Sequence, residues 1–165
     1  MCKASERIAS ILAEKGFSQV DTTSDIVVDE PYAADLSVLD AVDLSAGASE
    51  QKVFSIRSVE YRNEYHDEKL TQVQATVVTG KAGLGSVKAL GEEVAAKILG
   101  GDAAVELRPE FIYQVVPAIE MKHEGQAFAA GGLVRPEVMR KLGVKAGELV
   151  AYVVIFTAEN VQKLG

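Results

Sequence analysis

Apolar residues recur at helical spacing at Ile8, Ile11 and Leu12, between Ser5, a candidate N-cap, and Gly16, a candidate C-cap. The first expected element is therefore an N-terminal helix. Ile26, Val27 and Val28 form a short β-branched run stopped by Pro31, the pattern of a strand. Leu36, Val38, Leu39, Val42 and Leu44 make a weaker apolar pattern that suits a strand or a helical turn equally, and residues 45–49 are small and polar, as in a loop. Residues 53–61 and 70–78 are rich in β-branched and aromatic side chains and flank the polar run 63–69, which predicts an antiparallel hairpin with a fairly long tip. Val87, Leu90, Val94 and Ile98 then share one helical face, with Ser86 as candidate N-cap and Gly100-Gly101 as the stop. Residues 105–107 and 111–121 read as strands interrupted at Pro109 and Pro117, the second proline marking an edge strand or a bend. Pro136 opens a short helix ending at Gly143, and residues 149–157 form a nearly continuous apolar strand suited to a sheet interior. The tail, residues 158–165, is expected to be peripheral. With no internal repeat and no linker, this order predicts one α+β domain over residues 1–165. Its expected form is a single mixed, mostly antiparallel sheet with an N-terminal helix and a central packed helix.

Composition supports a globular reading: of 165 residues, 48% are apolar and 25% charged. A chain of this length needs no disulfide or metal to hold its core. The single cysteine, Cys2, has no internal partner, which fits a reducing compartment or assembly inside a cell. The longest apolar run is strand-sized, and the opening residues carry neither a secretory signal nor a lipidation signal, so no membrane partner is expected. Charge is unevenly distributed. The formal net charge of −7 arises wholly within residues 1–50, and the rest of the chain is balanced. An acidic segment at residues 21–50 carries Asp21, Asp25, Asp29, Glu30, Asp35, Asp40, Asp43 and Glu50 with no Lys or Arg. These eight carboxylates define a candidate acidic surface, which repels phosphate backbones and argues against specific nucleic-acid binding.

No catalytic constellation emerges. The loop Gly80-Lys81-Ala82-Gly83-Leu84-Gly85-Ser86 lies between a strand and a helix, where an anion could be held by Gly80, Gly83, Gly85 and Ser86. Yet a phosphate loop of the Walker type needs Lys after its second glycine, and here Gly85 runs directly into Ser86, so a plain strand-to-helix connection is the simpler reading. His66 and His123 lack metal-ligand spacing. Cys2 would be an N-terminal nucleophile only if Met1 were removed. The acidic residues lack the spacing and closing Glu of a calcium loop. No catalytic residue, cofactor or metal is therefore expected.

Residues 133–150, with Arg135-Pro136, Leu142-Gly143 and Gly147-Glu148, resemble the strand, one-turn helix and returning strand of swapped-hairpin transcription regulators. A second, architectural resemblance spans most of the chain. The helix at 7–16, the strand at 26–28, the hairpin at 53–78, the helix at 87–99 and the strands at 111–121 and 150–157 are similar in order and spacing to tailed-phage tail terminator proteins. That resemblance implies a non-enzymatic virion structural protein, a ring-forming tail terminator or head-tail connector component. It would form a homo-oligomer, assemble in the host cytoplasm with the tail tube and neck proteins, and turn its acidic segment toward a DNA channel. The alternative is a small cytoplasmic ligand-binding domain or enzyme that uses the loop at 80–86 for a phosphate-bearing ligand. A regulator built around residues 134–150 would have to bind DNA against the charge.

Overall fold

The computed structural model describes residues 3–45 and 49–164. Cys2, expected to be an unpaired cysteine and only conditionally a nucleophile, and residues 46–48 of the expected loop at 45–49 lie outside them. The order is α1 (Lys3–Glu14), β1 (Ser18–Gln19), β2 (Ile26–Val28), a 3₁₀ helix (Leu36–Ala41), β3 (Gln51–Arg62), β4 (Asp67–Thr79), α2 (Leu84–Leu99), β5 (Glu106–Pro109), β6 (Val115–His123), β7 (Gln126–Val134), α3 (Pro136–Lys141), β8 (Val150–Thr157) and α4 (Ala158–Val161). The strands form one sheet in the order β1-β3-β4-β8-β7-β6-β5, with β2 pairing β3 beside β1. Only β1 and β2 run parallel to their neighbour. The fold is α+β, with a mixed, mostly antiparallel sheet, an N-terminal helix and a central packed helix, as the chain pattern predicts.

Period-two side-chain alternation gives the sheet two different faces. Val73, Ala75 and Val77 of β4, with Val154 and Phe156 of β8, point toward α1, α2 and α4 and meet Ile8, Leu12, Val87, Leu90 and Val94 in the larger core. The opposite face of β8, Ala151, Val153 and Ile155, meets Tyr32 and Leu39 from the segment around the 3₁₀ helix, together with Met139 and Val144. Both faces of β8 are covered, which explains its unbroken apolar run.

Several local expectations shift. Ser5 is buried within α1 rather than capping it. The N-cap of α2 is Gly83, with Ser86 Oγ accepting from the Gly83 N–H at 3.4 Å. Residues 111–114 do not extend a strand: β6 starts at Val115, and its register slips between Val115 and Ala118, so Pro117 marks a bend inside the sheet. The tail is not peripheral, because Ala158 and Val161 of α4 are buried in the helix-side core.

The largest departure is β7, a central strand within the sequence GQAFAAGGLV, a composition of low β-propensity. Its glycines explain the choice. A Cβ at Gly131 would stand 2.2 Å from the Val153 carbonyl oxygen, and one at Gly132 would stand 2.1 Å from that of Pro117. The backbones approach too closely here for any side chain.

Candidate functional site

On the face away from α1 and α2, a row of polar side chains crosses the centre of the sheet. Ser55 and Arg57 of β3 stand opposite Gln74 and Gln72 of β4, and Gln72 stands opposite Thr157 of β8. All five, with Thr76, are buried. Buried polar groups are costly unless paired, and most of these are paired with the backbone of the segment that crosses above them. Asp35 N donates to Gln74 Oε1 at 2.7 Å, and Gln74 Nε2 donates to Asp35 O at 3.0 Å and to Thr76 Oγ1 at 3.0 Å. Arg57 Nη2 donates to Ala33 O at 2.8 Å. Burial lowers the Arg57 pKa, an effect opposed by the Asp35 charge. Asp35 itself caps the 3₁₀ helix. Burial pushes its carboxyl up, but hydrogen bonds from Ser37 and Thr22 and the nearby Arg57 together hold it below the usual range.

Gln72 is the exception: among the described residues its buried Nε2 has no hydrogen-bond partner. Its neighbour Thr157 opens onto a cleft of about 290 Å³ at the tip end of the β3–β4 hairpin. Tyr61, Glu68 and Lys69 line one wall, Glu120 the floor, and Asn160 and Lys163 the α4 side. Glu68, Glu120 and Glu159 line it at separate points, together with two lysines. Glu120 hydrogen-bonds the Tyr32 hydroxyl, whose pKa is raised by burial first and by this carboxylate second. Glu159 Oε1 accepts the Thr71 N–H at 2.7 Å, which ties α4 to β4. A concave, partly polar pocket beside an unsatisfied amide is the arrangement expected of a small-ligand site.

The structure disperses the acidic segment instead of gathering it. Asp25, Asp29 and Glu30 flank β2, which pairs with the tip half of β3, whereas Asp43 and Glu50 lie by its first residues. Asp21, Asp40 and the other acids are exposed, except Glu30 and Asp35, which are half-buried. The loop with Gly80, Gly83, Gly85 and Ser86 sits at the opposite end of β4 from the cleft and is closed on itself by the Ser86 cap. His66 stacks on Tyr61, with ring centroids 4.6 Å apart, and His123 Nδ1 is 2.8 Å from Ala104 O. No group of three or more metal-ligating side chains occurs among the described residues. The polar row was absent from the sequence expectations. Its signal was there: Ser55 and Arg57, then Gln72, Gln74 and Thr76, recur at period two within otherwise apolar strands.

Comparison with known proteins gives two positive findings. The family model for the class II core domain of tRNA synthetases (F) matches residues 35–154, well over half of the chain. Two structures of pyrrolysyl-tRNA synthetase from Desulfitobacterium hafniense, one described as PylSc, share the fold, with TM-scores of 0.64 and 0.65 at 15% and 14% identity. Each superposition covers 97% of this chain but 66% and 67% of those chains, so this chain spans about two thirds of their length. No curated protein matches it in sequence.

These findings overturn the phage reading. A tail terminator or connector shares only the order of common α+β elements, whereas the family match runs along the sequence itself from the crossing segment into β8. The expectations of a non-enzymatic structural protein, of tail-tube and neck partners, and of a virion location fall with it. The charge-based exclusion of nucleic acid also fails. It treated the N-terminal acids as one repelling surface, but they are scattered around a body whose remaining charges balance. Residues 133–150 do form strand, short helix and strand, but as β7, α3 and β8 within the matched domain.

Proposed function

Because this chain belongs to the class II tRNA synthetase core family, we propose that it is an aminoacyl-tRNA synthetase-type enzyme that activates an amino acid with ATP in the Tyr61–Glu120–Asn160 cleft. The observation that carries this reading is the cleft itself, lined by groups of opposite charge and by Thr157, whose cross-strand neighbour Gln72 is buried with an Nε2 that has no partner among the described residues. In activation, a carboxylate oxygen of the amino acid attacks the α-phosphorus of ATP. The bond to the bridging oxygen breaks, pyrophosphate leaves, and an acyl-adenylate remains for transfer to a tRNA hydroxyl.

The residues divide by charge for such a pair of ligands. Glu120, oriented by the Tyr32 hydroxyl, offers a fixed acceptor for the ammonium group. Lys69 and Lys163 supply positive charge on the two sides of the opening for the phosphates. Glu159 fixes α4 against β4 through its bond to Thr71 N, and so positions Asn160 and Lys163. The polar row beneath holds the crossing segment in place through Arg57 and Gln74, which keeps Tyr32 over Glu120.

Amino-acid-dependent exchange of labelled pyrophosphate into ATP, run across a panel of amino acids, tests the reading. Exchange is expected with a restricted subset, falling about 10²-fold or more in Glu120→Gln, the range seen when one electrostatic group in an active site is removed. Absence of exchange with every amino acid, together with no shift in melting temperature on adding ATP or amino acid, would refute it.

A further inference from the structure

A second concavity is lined by residues on either side of the Pro31-Tyr32 pair that lines the cleft, and nothing in the proposed chemistry uses it. It is an open groove of about 760 Å³ between β2 and the turn before β6. Val27, Val28, Ala33, Ala34 and Leu36 make its floor apolar, and Tyr113 forms one wall. Two large apolar side chains of the lining stand in the open: Tyr113 is 67% exposed and Val27 57%. Scattered apolar residues on a surface mean little, but aromatic and β-branched groups concentrated about one groove mark a contact surface.

The rim has one sign of charge. Asp29 and Glu30 line the groove, and Glu110 lies close enough that, after burial and Asp29, it is a further cause of the raised Glu30 pKa, opposed only by a backbone hydrogen bond from Tyr113. None of the three forms an ion pair among the described residues. Beside them, β2 pairs with β3 alone, so its outer edge has no strand partner among the described residues. Gln114, which also lines the groove, is held at φ 64°, a conformation that non-glycine residues seldom adopt, and its carbonyl accepts from Arg135 N at 2.9 Å. The wall carrying Tyr113 is thus fixed to the rest of the sheet.

We infer that this groove docks an extended, basic segment of a partner protein, whose apolar side chains fill the Val27–Tyr113 floor and whose lysines or arginines meet Asp29, Glu30 and Glu110. The charge selects the occupant. A nucleic acid is repelled by three unpaired carboxylates, and a second copy of this chain brings a net charge of −7 to an acidic rim. A basic extended segment satisfies the carboxylates, the apolar floor and the open strand edge at once.

The test is independent of the enzymatic reading, since it needs neither ATP nor amino acid. A fluorescein-labelled peptide alternating lysine with leucine or valine, seven residues long, is titrated with the full chain by fluorescence anisotropy. A matched peptide with glutamate in place of lysine is the control. The basic peptide is expected to bind and the acidic one not. Tyr113→Ala and the pair Asp29→Asn with Glu30→Gln should each weaken binding at least about tenfold, whereas Asp40→Asn with Asp43→Asn, exposed acids away from the groove, should leave it unchanged. Circular dichroism and thermal melting of each variant exclude misfolding as the cause. Equal weakening by both acidic pairs would reduce the effect to general attraction and overturn the inference. So would unchanged binding in Tyr113→Ala, no binding by the basic peptide, or self-association in sedimentation that Tyr113→Ala abolishes.

Discussion

Replacing Gln72 by methionine removes the buried amide at the centre of the sheet while keeping side-chain volume nearly constant. In the parent, Nε2 has no hydrogen-bond partner among the described residues, and a buried donor in that condition costs about 1–3 kcal/mol. Oε1 contributes little in return, since its contact with Arg57 Nη2 is 3.5 Å long, and Arg57 keeps its 2.8 Å bond to Ala33 O without it. Subtracting the worth of a weak hydrogen bond, about 0.5–1 kcal/mol, leaves Gln72→Met as stable as the parent or more so, by up to roughly 2.5 kcal/mol. For a domain of 165 residues that corresponds to a rise in melting temperature of up to roughly 10 °C. Urea unfolding followed by circular dichroism measures the change, and pyrophosphate exchange on the same preparations measures function. The expected pairing is a gain in stability with a loss of exchange, as for a group kept unsatisfied for a ligand. A variant less stable than the parent by more than about 1 kcal/mol would show that the amide is already satisfied, for instance by an ordered water, and would refute the reasoning. A more stable variant with undiminished exchange would remove Gln72 from the site.

Asp35→Ala should cost about 0.5–2 kcal/mol at pH 7, the usual worth of an N-cap. The Asp35 carboxyl titrates below its ordinary value of about 3.9 in the folded state, so its contribution is full above that pH and is lost as the pH falls through the folded value. Urea midpoints measured from pH 7 down to pH 3 should therefore converge between variant and parent at the acid end. Gly131→Ala places a methyl 2.2 Å from the Val153 carbonyl and 3.0 Å from Val154 Cα, backbone atoms that cannot rotate away. Calorimetry should show a loss of about 3 kcal/mol, the top of the range for overpacking, whereas Gly85→Ala, with nothing within 4 Å, should differ little from the parent. Tyr32→Phe frees the Glu120 carboxylate from its hydroxyl partner. Exchange should fall, by less than in Glu120→Gln, with at most about 1.5 kcal/mol lost in unfolding.

How far the fold could be read in advance depended on whether local preference and tertiary demand agreed. In the β3–β4 hairpin, in α2 and in β8 they agree: β-branched runs, a helical apolar face and a buried apolar strand all lie where expected. In β7 they conflict, because Gly131 and Gly132 answer a close backbone approach, and that requirement exists only once β6 and β8 stand on either side. Without residues 126–132 as a strand, only the last residues of β7 entered the unit at 133–150, so that unit read as a motif separate from the sheet. The site was obscured for a related reason. Attention to net charge favoured exposed acids such as Asp40 and Asp43, while the residues meeting at the sheet centre are mostly neutral amides and hydroxyls that leave no trace in a charge count. Arg57 is the one charged member of the row, and a lone arginine in a strand reads as an exposed position until its burial is seen.

The central place of β8 governs the order in which this chain becomes a domain. The hairpins β3–β4 and β6–β7 are each local, but β4 and β7 are joined only through β8, which follows β4 by more than seventy residues. Until that strand enters, the chain holds two half-sheets, each with an open apolar edge, and neither core has its middle. Such non-local closure favours slow folding, on the scale of milliseconds to seconds. It also exposes both edges to other chains during the wait. Truncation before Val150 should accordingly yield an associating species, not a smaller stable domain.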